Sequence, residues 1–137
     1  MFFKESINKT ENEDLAKVAA LLIHAAKIDE NFSKTEEKII TEALLKLGAK
    51  NESLESIIKA GKLMEENANQ ILDFTREVKN MDENKKIQII ETLWQIIYSN
   101  KEADIYETNL MRRLAGLLYV DNKTMGDIKE KIKKENS

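Results

Sequence analysis

No cysteine occurs in the 137 residues, so disulfides, thiolate zinc sites and cysteine nucleophiles are all excluded. Proline is absent as well, and glycine appears only four times. With so few breakers, a chain rich in Glu, Lys, Leu, Ile and Ala reads as helical rather than sheet-forming. Basic excess is also missing: 22 Lys and Arg stand against 25 Asp and Glu, a formal charge of −3. A nucleic-acid role is therefore not expected, since a phosphate-binding face usually shows as a surplus of positive charge. No apolar run approaches the roughly 20 residues needed to cross a bilayer. The opening "MFFKES" is followed by "INKTENED", too polar for a signal peptide. Phe2, Phe3 and Ile7 are expected to dock a short amphipathic helix onto the body, without the basic face that a membrane-surface foot would need. The cytoplasm is the expected compartment.

What the chain does contain is a succession of helical stripes. Thr10 and Glu13 form a capping-box pattern expected to open the first helix, which then carries Leu15, Val18, Ala19, Leu22 and Ile23 and ends near Ile28. A second helix restarts after Ser33 with Ile39, Ile40, Ala43, Leu44 and Leu47, and Gly48 stops it. Asn51 or Ser53 is expected to cap a third helix bearing Leu54, Ile57 and Ile58. A fourth carries Ile71, Phe74, Val78 and Met81.

The pattern then returns. Shifted by 71 residues, Val18 falls on Ile89, Leu22 on Leu93, Ile39 on Leu110, Leu47 on Leu118 and Ile57 on Ile128, with no gap needed. The expectation is a single all-α domain over residues 1–137. It has about seven helices: two pseudo-repeated three-helix units, about 14–60 and 85–131, plus a connecting helix. Leu22 and Leu93, and likewise Ile39 and Leu110, should be buried equivalents. The segment "KKIQIIETLWQIIYS" is apolar on nearly every face, which in a soluble domain marks a central helix, packed here against the first.

Two acidic corners follow the two central helices. In "KIDENFSKTEEKII", Asp29 precedes Glu36 by seven residues, and in "SNKEADIYETNLM" Asn100 precedes Glu107 by the same interval. Ser33 to Glu36 is a capping box and Asp104 to Glu107 a close analogue, so a purely structural account is available. Yet Asp29, Glu30, Glu36, Glu37, Glu102, Asp104 and Glu107 crowd these corners. Two carboxylates about 4 Å apart repel by roughly 4 kcal/mol at an effective dielectric of about 20, while a cap returns only about 1 kcal/mol. If the corners converge, a divalent cation would offset the difference, as would Arg112 and Arg113 reaching back. Oxygen ligands of this kind suit Ca²⁺, Mg²⁺ or Mn²⁺. The EF-hand loop does not fit, because Lys34 or Ile105 takes its glycine place and Ile40 or Met111 its final glutamate.

The segment "LWQIIYSNKEADIYETNLMRRLAGLLYV" resembles the signature of tellurite-resistance TerB-like proteins, and "DFTREV" (Asp73 to Val78) is similar to one bacterial clade of them. The resemblance covers nearly the whole chain. It implies a seven-helix domain with pseudo-repeated halves, linked to tellurite resistance and stress response, that binds divalent metal through its acidic corners and has no established reaction. Carried over, it places the metal-site residues at Asp29, Glu36, Asn100 and Glu107, with Asp104 and Glu37 as additional candidates. This chain departs from the family at Asn100, where aspartate is usual, and at Glu30 and Lys101, where glycine is usual. Losing one carboxylate lowers the charge count of any cation site.

No catalytic residue emerges: there is no phosphate-binding glycine loop, no nucleophile with a base beside it, and no Glu-x-x-His of a di-iron bundle. His24, the single histidine, is expected to be part-buried with a local partner. Trp94, Tyr98 and Tyr106 are expected to serve packing. The sequence thus points to a non-enzymatic domain whose corners bind a cation or a protein partner. The alternatives are a pure interaction module with structural corners and no metal, and a metal-assisted hydrolase, which lacks a visible base.

Overall fold

A computed structural model of the chain describes residues 2–27, 34–67, 72–99 and 105–135, with side-chain environments for 12–27, 34–67, 74–99 and 107–135. These residues form seven α-helices and no strand: α1 (Phe2–Ala26), α2 (Lys34–Lys46), α3 (Leu54–Asn67), α4 (Leu72–Lys79), α5 (Glu83–Tyr98), α6 (Ile105–Leu117) and α7 (Asn122–Glu135). The all-α fold follows from the composition.

The core is built on α1 and α5. From Leu15 to Ala26 every residue of α1 except Lys17 and His24 is buried, and Ile89, Ile90, Leu93, Trp94, Ile96 and Ile97 are buried along α5. Helices apolar round most of their circumference must be surrounded. Accordingly α1 packs most extensively on α3 and also meets α4, α5 and α2, while α5 receives α7 and α2. Leu22 and Leu93 are both fully buried, as expected. Ile39 and Leu110 are only partly buried; the fully inward residues are their neighbours Ile40 and Met111. A helical stripe two residues wide leaves the inward member undecided until the partner helix is in place.

Local geometry recurs at the 71-residue shift. α6 begins and ends at the positions that match α2. Both helices close with the same C-terminal motif. In α2 the Ala49 N–H donates to the Leu44 carbonyl at 2.9 Å and the Gly48 N–H to Leu45 at 3.1 Å; in α6 the Val120 N–H donates to Ala115 at 2.9 Å and the Tyr119 N–H to Gly116 at 3.4 Å. This Schellman arrangement satisfies the last carbonyls and needs a left-handed residue. Gly48 supplies it at φ 109°, and Tyr119, at the matching place, is forced to φ 57°. Tyr119 is 70% exposed, with the Lys79 Nζ 4.8 Å from its ring centroid.

The glycine of α3 does not recur. Gly61 of α3 lies so close to α1 that an added Cβ would sit 2.8 Å from the Ala19 Cβ and 3.1 Å from both the Ala16 carbonyl oxygen and the Ala20 nitrogen. At the matching place α7 carries Ile132, which is fully buried.

Two expectations for helix starts need correction. α1 runs from Phe2, so Thr10 and Glu13 lie inside a helix instead of opening one, and Phe2 to Ile7 continue it rather than forming a separate element. No glycine or proline precedes Gly48 to interrupt it. Asn51 and Ser53 sit within a 3₁₀ turn, Asn51–Ser53, that leads into α3 with no side-chain cap on its preceding residue. Two aspartates among the described residues act as caps: Asp82 accepts from the Lys85 N–H at 2.9 Å, and Asp121 from the Thr124 N–H at 2.7 Å. Among the described residues, no helix is long and apolar enough to cross a membrane.

Candidate functional site

Glu36 and Glu107 are the third residues of α2 and α6. Both are buried, at 2% and 5% exposure, although glutamate is among the side chains least often buried without a partner. Neither is without a partner. A carboxylate in the first turn also faces the positive end of the helix dipole, which stabilises it by about 0.3–1 kcal/mol. Glu37, beside Glu36, is exposed. The other members of the expected set, Asp29, Asn100 and Asp104, lie outside the described residues, as do Glu30, Ser33 and Glu102. Among the described residues no three Asp, Glu or His side chains gather into a metal-sized group.

Tyr98, on the last turn of α5, has its hydroxyl pKa pushed up, first by burial and then by the charges of Glu130 and Glu107. Its ring stacks on Trp94 with centroids 5.9 Å apart. Both aromatics are buried, in line with a packing role. Arg112 and Arg113 are exposed, and neither joins an ion pair among the described residues, so the expected reach back to the corner is not seen. At the end of α1, His24 is part-buried with its Nδ1 3.4 Å from Glu65 Oε1, and Lys27 pairs with Glu65 Oε2 at 2.8 Å. That tie between α1 and α3 accounts for the histidine without a catalytic task.

Sequence reasoning missed one feature. Trp94 is buried, yet it also lines a groove between α6 and α7 together with Arg112 and Lys129. Residues from three helices meet there, a relation no single periodic stripe could reveal.

Comparison with curated proteins and with solved structures returned no match. The family described as tellurite resistance protein TerB does match, over residues 15–130, from the apolar part of α1 into α7 and across both buried glutamates. A match of that extent identifies the chain as belonging to the TerB family.

Proposed function

We propose that this chain is a non-enzymatic TerB-family domain, attached to tellurite-resistance and stress-response systems, whose acidic corners bind a divalent cation. The observation that carries this reading is the burial of Glu36 and Glu107 at matching places on matching helices. Removing a carboxylate from water costs several kcal/mol even after relaxation, more than a helix terminus alone returns. A bound cation adds to the partners these groups already have. The donors are all oxygens, which fits Ca²⁺, Mg²⁺ or Mn²⁺ rather than zinc or copper. Asp29 and Asn100, each seven positions before its glutamate, would complete the set with one carboxylate and one neutral amide oxygen.

The test is calorimetric titration with each of the three ions. Saturable binding is expected in the native protein and its loss in Glu36→Gln and Glu107→Gln. If no ion binds the native protein, the corners are structural and the domain is a protein-interaction module. That second reading is favoured by one observation: both glutamates stand where a capping box places its return contact, and neither lacks a partner.

A further inference from the structure

We infer that the groove between α6 and α7 is a docking site for an acidic peptide segment that inserts one apolar side chain. The groove encloses about 250 Å³. Its floor is apolar: Trp94, Met111, Ala115 and Met125 line it and are themselves almost fully buried. Methionines on such a floor adapt to the shape of what enters. Its rim is cationic, with Arg112 from α6 and Lys129 from α7, whose Nζ lies 5.5 Å from the Trp94 ring centroid. Among the described residues no carboxylate lines the groove, in a protein whose acids outnumber its bases and whose other described cavities each include at least one. Charge complementarity therefore calls for an anionic occupant with an apolar part.

Gly126 supports the same conclusion. It lies within α7, where glycine is a poor helix former, and a Cβ there would meet nothing within 4 Å. Packing does not require this glycine. Because it lines the groove, its lack of a side chain keeps the groove open. The indole N–H of Trp94, buried and meeting no acceptor among the described residues, adds an unmet donor on the residue that floors the site. The volume is small against the roughly 300–1,000 Å³ of pockets that enclose whole small molecules. One side chain of a larger ligand fits, with its flanking carboxylates on Arg112 and Lys129. This site is separate from the acidic corners and does not depend on cation binding there.

The experiment is fluorescence anisotropy with labelled peptide pools, each placing a single Leu, Met or Phe among Asp and Glu, against matched pools carrying Lys. The acidic pools are expected to bind and to shift the emission of Trp94, the one tryptophan of the chain. Affinity should fall at least about tenfold in Arg112→Glu/Lys129→Glu. It should fall similarly in Gly126→Leu, which fills the groove, with retained thermal unfolding showing that the fold survives. Lys59→Glu on α3 should change nothing. Equal binding of acidic and basic pools, or acidic binding indifferent to Gly126→Leu, overturns the proposal. So does tighter binding of single-stranded oligothymidylate to the same groove.

Discussion

Replacing Gly61 by alanine sets two known effects against each other. Alanine is the better helix former by about 1 kcal/mol, so on propensity alone the change would stabilise α3. The geometry opposes this. The new methyl would lie 2.8 Å from the Ala19 Cβ and 3.1 Å from two backbone atoms of α1, the Ala16 oxygen and the Ala20 nitrogen. Overpacking usually costs about 1–3 kcal/mol, and relief is hardest when the neighbours are helix backbone that cannot rotate aside. We therefore expect Gly61→Ala to lose up to about 2 kcal/mol net. At roughly 3–5 °C per kcal/mol for a chain of this length, the melting temperature should fall by up to about 10 °C. Gly126→Ala provides the control, since it has the same intrinsic gain with nothing within 4 Å to strike. It should raise stability by up to about 1 kcal/mol. The comparison by urea unfolding and thermal melting isolates the packing contribution, and Ala19→Gly added to Gly61→Ala should recover part of the loss. If both alanine variants gain alike, α1 and α3 do not approach as described and the reasoning fails.

Other expectations are simpler. Gly48→Ala should cost more than about 1 kcal/mol in urea unfolding, because φ 109° lies well beyond the left-handed well that a side chain tolerates. Asp82→Ala should cost about 1 kcal/mol through loss of the bond to the Lys85 N–H, while Asp82→Ser should retain most of it. The carboxyl pKa of Asp14 is raised above 3.8 by burial and by Glu77, against the lowering effect of Lys17. The folded state therefore holds that proton more tightly than the unfolded state, and ionisation subtracts stability above the folded pKa. Asp14→Asn should raise the melting temperature near pH 7, and the gain should vanish below about pH 3, where both states are protonated. Asn100→Asp should slightly destabilise the protein in chelator but melt higher in millimolar Ca²⁺ or Mn²⁺, with the gain growing as RT ln(1 + [L]/Kd). A variant that gains from neither ion would separate the two corners.

The sequence made the helices legible because their information is local. Period-3.6 stripes around Leu22 and Leu93 needed only a dozen residues each, and Gly48 marked its own stop. The matching bounds of α2 and α6 were visible for the same reason, from local apolar patterns read at the 71-residue shift. The start of α1 was misjudged because Thr10 and Glu13 satisfy a capping pattern equally well inside a helix, where other carbonyls and N–H groups are already paired. The choice between Ile39 and Ile40 depended on where α5 lies, which is not local. At the candidate site, the acidic spacing pointed to Glu36 and Glu107 but said nothing of their burial. The groove at Trp94 was invisible, since Arg112, Gly126 and Lys129 become neighbours only when α6 and α7 pack.

The two halves agree at some positions and differ at others, and the division follows a physical logic. They agree at helix ends: the same C-terminal motif closes α2 and α6, and the same buried glutamate stands at the third residue of each. Helix ends hold unpaired backbone groups whose satisfaction is obligatory, so such positions tolerate little change. Tyr119 marks that limit, keeping a left-handed backbone that glycine would adopt with less strain. The halves differ along the helix flanks. Gly61 brings α3 onto α1, whereas the matching residue of α7 is the fully buried Ile132. Where the first half places Ile23 and Ile58 in or against the core, the second places Trp94 and Lys129, and exposed Glu55 is answered by Gly126. These last three substitutions line one groove. A missing side chain and a cation above an indole thus fall on the same side of one half. That concentration is what a surface shaped for a ligand requires, and the preserved ends are what the fold requires.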